Sequence, residues 1–266
     1  MTTQAATRPA TSPFRMTLTT EVRLFLREPG SALFAILFPA GLLLALGAVP
    51  ILREPSPDFD GARFVDMWAP TALVLGTGIF ALQHIPAAIA TYREKGVLRR
   101  MSTTPVHPAT LLVAQLAVAM GGAVISAAVL ILSAWLVLDV PLPQHPGWFL
   151  AAFTVGFASL LSIGMLIAAL VPTAKAANGL SMLAWMVIMF VGGVFLPRIF
   201  FPESLQRAGD YTPPGVQALL EAWSGDAAVT GAVGGSAGPP QLLQLGIMAL
   251  VAVVLGAAAA RLFRWE

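Results

Sequence analysis

The sequence contains no cysteine, and this absence excludes disulfides, thiol nucleophiles, iron–sulfur clusters and cysteine-ligated zinc sites. Charge is also scarce, because Asp, Glu, Lys and Arg make up 11% of the 266 residues, against about a quarter in soluble domains. Hydrophobic residues account for 57%, and the mean hydropathy is +0.81. The chain is therefore predicted to lie in a lipid bilayer.

Several functional motifs are missing as well. The sequence has no Gly-x-x-x-x-Gly-Lys-Ser/Thr phosphate loop, no His-Glu-x-x-His or Gly-x-Ser-x-Gly motif, and no pair of carboxylates within an apolar run. We therefore expect neither catalysis nor a bound cofactor or metal in this chain. A nucleic-acid partner is not expected either, because the net charge is only +2 and the cations form no basic stripe.

What the sequence does contain is six apolar runs, each free of Asp, Glu, Lys and Arg and long enough to cross a bilayer. A charge at the centre of a membrane helix costs about 2.5–3.5 kcal/mol, so insertion selects runs of this kind. The predicted fold class is an all-α membrane protein with six transmembrane helices. The runs cover residues 31–52, 67–90, 109–138, 148–171, 179–196 and 241–260.

Ahead of these runs, residues 1–30 are predicted to form a disordered tail followed by an amphipathic interfacial helix. Apolar residues recur at helical spacing from Phe14 to Phe25, while arginines recur on another face. Such a helix lies along the membrane surface, with its arginines among the lipid headgroups. Residues 31–266 are then predicted to form one six-span transmembrane domain.

The distribution of cations between the loops predicts the orientation. With the N-terminus inside, the inner segments carry eleven of the 15 Lys and Arg residues, so both termini are predicted to be cytoplasmic. The fifth run passes through Gly192-Gly193 and is predicted to end in a re-entrant outer segment. Beyond it we expect one or two short helices on the outer surface within residues 202–223, and a flexible loop over residues 229–240.

Residues 92–101, between the second and third runs, concentrate four cations and one anion where the chain leaves the membrane. Val97 and Leu98 give this segment an apolar side, and Gly96 would permit close approach of another backbone. We predict a short amphipathic helix parallel to the membrane that docks a soluble partner. The alternative is an inner loop whose positive charge only sets the topology.

Polar and polarisable residues inside the runs mark a possible substrate pathway. Gln83 and His84 lie near the inner end of the second run, and Met182, Met186 and Met189 form a helical stripe on the fifth. The alternative is that the first two hydrogen-bond a neighbouring helix and that the methionines only pack between helices.

Residues 92–106, Tyr-Arg-Glu-Lys-Gly-Val-Leu-Arg-Arg-Met-Ser-Thr-Thr-Pro-Val, resemble the cytoplasmic segment of ABC-2 type permeases. Val97 stands where that family commonly has threonine, and Arg99 stands where an acidic residue is frequent. Residues 24–30 look like the family's N-terminal amphipathic helix, and residues 192–197 look like its outer re-entrant region. Within the family, the likeness is to drug-resistance permeases of the daunorubicin type.

This resemblance implies a permease subunit of an ATP-driven exporter in the bacterial plasma membrane. It implies a separate ABC ATPase that binds ATP and Mg²⁺, a second permease copy in a homodimer, and an amphipathic cargo such as a drug, lipid or glycolipid, among membrane lipids. The ATPase-coupling residues would be Tyr92, Arg93, Glu94, Gly96, Val97, Leu98, Arg99 and Arg100, beside Glu21, Arg23, Arg27 and Glu28 of the interfacial helix.

Two other function classes stay open at this point. An integral membrane lipid-processing enzyme would need convergent polar groups at one depth, and only Gln83 and His84 offer them. A non-energised scaffold or channel would show a continuous polar lining along its spans, and the runs show none. A gene for a phosphate-loop ATPase beside this one would favour the permease.

Overall fold

The computed structural model describes a chain that is helical along most of its length. Two sequence predictions fall largely outside the described residues: the disordered tail, of which residues 1–11 are not described, and the flexible loop over residues 229–240. The described residues are 12–57, 61–101, 109–196, 200–224 and 240–263.

These residues form eleven α-helices, a 3-10 turn at Pro50–Arg53 and a π-helical segment at Ile79–His84. The segment joins α3 and α4 into one apolar rod, Phe64–Glu94. The α-helices are α1 (Pro13–Arg27), α2 (Pro29–Gly47), α3 (Phe64–Gly78), α4 (Ile85–Glu94), α5 (Val97–Met101), α6 (Ala109–Leu138), α7 (Pro146–Leu170), α8 (Ala174–Val191), α9 (Glu203–Asp210), α10 (Val216–Ser224) and α11 (Gln241–Leu262).

Six of these elements are long and apolar enough to cross a membrane: α2, the rod, α6, α7, α8 and α11. This confirms the predicted all-α membrane fold. The third predicted run begins and ends with α6 itself, because uncharged residues fill that helix from end to end. A helix also forms over the segment that was predicted to be interfacial: this is α1, whose first turn is capped by the Ser12 side chain accepting from Arg15 N at 3.3 Å.

The fifth predicted run was placed about one turn too late along the chain. Helix α8 begins earlier because the Thr173 side chain caps its first turn, accepting a hydrogen bond from Ala176 N at 3.3 Å. Lys175 then falls inside the first turn, where its exposed side chain is tolerated. The helix ends before Gly193, whose φ of 79° is incompatible with helical continuation.

The rod lies at the centre of the bundle and is its most buried span. Two glycines let the neighbouring helices approach it closely. A Cβ atom on Gly164 of α7 would lie 2.0 Å from the Ala81 carbonyl oxygen, and one on Gly122 of α6 would lie 2.2 Å from the Phe80 ring. Small residues at helix contacts are how membrane helices gain packing area, since no water is displaced between them.

Helix α10 was expected on the outer surface, and this expectation is wrong. Leu219, Leu220 and Trp223 are each 2% exposed and pack against α3 and α7. The Trp223 indole Nε1 donates to the Pro141 carbonyl at 2.9 Å, which ties α10 to the connection between α6 and α7. The apolar face of α10 is thus covered by the bundle.

Candidate functional site

The last turn of α4 binds three other elements, and Arg93 makes the first of these links. Its Nη1 donates to the Ala168 carbonyl at 3.0 Å and to the Val171 carbonyl at 2.8 Å, at the end of α7. The guanidinium lies 5.5 Å from the centre of the Phe263 ring, just beyond α11. A cation at a helix C-terminus satisfies carbonyls that have no partner within the helix. Arg93 therefore holds the ends of α7 and α11 against α4.

The residues on either side of Arg93 make the other two links. The Glu94 carboxylate accepts a hydrogen bond from Ala174 N at 2.8 Å, in the first turn of α8. The Tyr92 hydroxyl donates to the Glu21 carboxylate of α1 at 2.6 Å. Three consecutive side chains thus connect α4 to α7, α8 and α1. We call residues 92–94 the junction.

Replacing Glu94 with Ala is expected to destabilise the fold by about 1 kcal/mol, because an amide in the first turn of α8 loses its acceptor. The midpoint of thermal unfolding in detergent measures this change. Lys95→Ala is the matched control, since that neighbour is also exposed and no hydrogen bond from its side chain to α8 is found among the described residues. Equal losses in both variants would show that the cap contributes nothing.

Glu21 is the buried member of α1, with 5% of its surface exposed. Besides the Tyr92 hydroxyl, its carboxylate accepts a hydrogen bond from Gln115 Nε2 of α6 at 2.5 Å. Burial raises the pKa of the Glu21 carboxyl above its ordinary value, and the hydrogen bonds from Tyr92 and Gln115 oppose that rise in part. Among the described residues no cation lies within ion-pair distance of this carboxylate. These three side chains fasten α1 to α4 and α6.

The predicted single helix over residues 92–101 is divided in the structure. Gly96, with a φ of 64°, ends the rod in a left-handed turn, which only glycine adopts readily. No atom approaches the position of its missing Cβ, so this turn, and not close packing, accounts for the glycine. Leu98 is 1% exposed and Val97 half-buried, so α5 seats its apolar side in its own bundle, while Arg99 and Arg100 are exposed.

Helix α1 presents charge and apolar surface to the outside at once. Arg23, Arg27 and Glu28 are exposed, as predicted for an interfacial helix. Met16 and Leu26 are also 62% and 61% exposed, so apolar side chains face the surroundings beside the arginines. This arrangement suits a helix that lies at the boundary between acyl chains and headgroups.

A cleft with a volume of about 930 Å³ opens between α1, α2, the rod and α8, next to the junction. Its size lies within the range of about 300–1,000 Å³ for small-molecule sites. Gln83, Asn178 and His84 line it together with the aromatic residues Phe25 and Phe80, whose ring centres lie 5.4 Å and 6.5 Å from that of His84. The His84 Nε2 is buried, and among the described residues it makes no hydrogen bond of good geometry, although the Gln115 side chain lies close to His84.

The predicted substrate pathway is only partly brought together. Gln83 and His84 both line the cleft, and Gln83 Nε2 lies 3.8 Å from the Met182 sulfur. Met182 and Met186 are 45% and 50% exposed on the outside of α8, whereas Met189 is fully buried against the bundle. Met182 therefore adjoins Gln83, whereas Met186 and Met189 are not among the described residues that line the cleft.

Sequence reasoning missed Gln115 and the burial of Glu21. Gln115 is an amide within an otherwise apolar run, and an amide in such a run signals a partner nearby. Glu21 was expected beside the coupling segment together with Arg23, Arg27 and Glu28, and nothing in the sequence distinguishes it as the buried member of that group. The contact between Phe25 and His84, whose ring centres are 5.4 Å apart, carried no signal in the sequence.

The comparison with protein families matches residues 55–261 to the family model described as ABC-2 family transporter protein. The matched region covers most of the chain and includes the rod, the junction and α5. Helix α1, with Glu21, lies before it. The comparison with curated proteins gave no match.

Proposed function

The chain belongs to the ABC-2 family of transporter proteins, and from this premise we propose that it is the membrane subunit of an ATP-driven exporter. Members of this family normally work with an ABC ATPase. In our proposal that separate subunit binds ATP and Mg²⁺, because this sequence contains no phosphate loop. A second copy of this chain completes the membrane domain as a homodimer.

The junction is the observation that carries this proposal. Its three side chains bind α1, α7 and α8, and only Lys95 and Gly96 separate it from α5 with its exposed arginines. A soluble partner that moved α5 would therefore act on several spans through one short connection. This is the arrangement that coupling requires when the energy source lies outside the membrane chain.

In the proposed mechanism, ATP binding draws two ATPase subunits together and displaces α5. The junction passes this displacement to α7 and α8, and Tyr92 passes it to α1 through Glu21. The spans then change from an inward-facing to an outward-facing arrangement. Each cycle requires two arrangements of the same packed helices, which the ATPase biases in turn.

We propose that fewer residues contact the ATPase than the sequence analysis suggested. Arg93, Glu94 and Leu98 are engaged within the chain, so we propose them as transmitting residues. Arg99 and Arg100, which are exposed, are proposed as the charges that meet the ATPase. Tyr92, Gly96 and Val97 complete the coupling set, and Arg23, Arg27 and Glu28 flank it on the interfacial helix.

We place the protein in the bacterial plasma membrane with both termini in the cytoplasm. The excess of cations in the inner segments supports this orientation. The proposed cargo is an amphipathic drug, lipid or glycolipid, because the cleft combines apolar and hydrogen-bonding surface next to α1.

The direct test is to co-express this chain with the ATPase encoded nearest to it and to purify through a tag on this chain alone. We expect a stable complex that hydrolyses ATP in lipid nanodiscs. The control is the same complex with the phosphate-loop lysine of the ATPase replaced by alanine, which should copurify without activity. A chain that purifies alone, with no ATPase bound, would argue against the proposed function.

A further inference from the structure

A carboxylate is buried in the cleft without a cation to balance it. Glu21 lines the cleft, is 5% exposed, and has only the neutral donors Tyr92 and Gln115 as partners in the described part of the chain. Burying a charge is costly unless it is paired, and hydrogen bonds from neutral groups offset only part of that cost. The site is therefore electrostatically incomplete.

Aromatic rings surround the same carboxylate. Phe25 follows Glu21 by one helical turn and shares its face of α1, and the centre of its ring lies 6.0 Å from that of Phe80. Both rings and Tyr92 line the cleft. Aromatic faces attract cations through their quadrupole, so a carboxylate beside such rings selects positive charge on an apolar body.

The remaining charges of the cleft lie at its mouth. Arg27, Glu28 and Lys95 line it and are all exposed to solvent. Exposed charges are screened by water and salt within about 10 Å, whereas a buried carboxylate is screened much less. Of the charged side chains that line the described cleft, Glu21 is thus the buried one, although the exposed Glu28 also acts electrostatically on His84 and Tyr92.

We propose that this cleft binds an amphipathic organic cation, with its positive centre at Glu21 and its apolar body against Phe25, Phe80 and Ile79. His84 and Gln83 supply hydrogen-bonding groups to polar substituents of the same ligand. This inference rests on the proposed function in that it names the class of cargo. The binding site itself needs no ATPase.

The test uses two probes of the same shape and opposite charge, tetraphenylphosphonium and tetraphenylborate. Equilibrium binding of each is measured to the full chain in nanodiscs, with empty nanodiscs subtracted for partition into lipid. We expect saturable binding of the phosphonium and none of the borate. Equal saturable binding of both ions, or of neither, would overturn the inference without the need for any variant.

Two variants locate the site. Glu21→Gln keeps acceptor and donor atoms for Tyr92 and Gln115 but removes the charge, and it should weaken phosphonium binding about tenfold or more. Phe25→Leu keeps an apolar side chain but removes the ring, and it should weaken phosphonium binding about threefold. Glu28→Gln is the matched control at the mouth, with the same loss of charge, and because Glu28 is exposed to solvent it should lose clearly less affinity than Glu21→Gln.

The result separates this inference from the proposed function. If Glu28→Gln loses as much affinity as Glu21→Gln, general attraction to negative charge explains the binding and the site is refuted. If the phosphonium binds at Glu21 while no ATPase copurifies with the chain, the site stands and the exporter proposal fails. A complex that hydrolyses ATP but binds no phosphonium leaves the exporter standing with a different cargo.

Discussion

Adding one methyl group at Gly164 is expected to cost about 2 kcal/mol or more of stability, within or above the range of about 1–3 kcal/mol for overpacking. The new Cβ would lie 2.0 Å from the Ala81 carbonyl oxygen and 3.6 Å from Pro86. Because the nearest atom belongs to the backbone, no side chain can rotate away from the methyl group. Helix α7 would have to move off the rod at the π-helical segment, which carries Gln83 and His84.

The midpoint of thermal unfolding in detergent measures this loss, with Gly121→Ala as the matched control. Gly121 lies in mid-helix on α6, and no atom comes within 4 Å of its missing Cβ. Alanine is about 1 kcal/mol more favourable than glycine inside a helix, so this variant should be neutral or slightly more stable. Equal midpoints for the two variants would mean that α7 and the rod are not in close contact.

Reversing the charge of Arg99 and Arg100 is expected to weaken association with the ATPase at least tenfold. Like charges facing each other across an interface cost several kcal/mol, and both arginines are exposed on α5. Hydrolysis that depends on the complex should fall in proportion, while the amount of chain in the membrane stays the same. Copurification and ATP hydrolysis measure the two effects.

The control for this variant reverses Arg53 and Arg207, which are exposed at the other end of the bundle. That change has the same size and sign but lies away from α5, so association should be unaltered.

Topology needs its own check, because inner arginines help to set orientation. The natural chain has no cysteine, so Lys95→Cys gives a single thiol whose labelling reports the side of the membrane. Wild-type association of the α5 variant would disprove our assignment of the contact.

The spans were predictable because the free energy of membrane insertion depends strongly on charge, and charged residues can be read directly from the sequence. A charge is excluded from the middle of a membrane helix, so a charge-free run locates α6 and its end at Leu138, which Asp139 follows. The same criterion placed the start of α8 too late, because it excluded Lys175 from the helix. In the structure Thr173 caps the first turn, and Lys175 lies within that turn. Insertion energy is informative about helix centres and much less so about helix ends.

The site was less predictable because its geometry depends on which helices meet. Glu21 and Gln115 are 94 residues apart, and the sequence gives no sign that one would accept a hydrogen bond from the other. Arg93 was expected to face a partner, yet it satisfies two carbonyls of α7. Gly96 was expected to allow close approach of another backbone, but in the structure the glycine is needed for the left-handed turn that ends α4. Long-range partners follow from packing, which no local pattern specifies.

The junction also determines how stiff the connection to α5 is. A push on α5 passes through elements in series, and the softest element in a series takes up most of the deformation. Here the soft element is the turn at Lys95 and Gly96, because hydrogen bonds to α1, α7 and α8 hold the next three residues. Even this turn can deform little, because it is two residues long and is itself hydrogen-bonded: Lys95 N donates to the Thr91 carbonyl and Gly96 N to the Arg93 carbonyl, each at 3.0 Å. A small displacement at the membrane surface would therefore reach the spans almost at its full length.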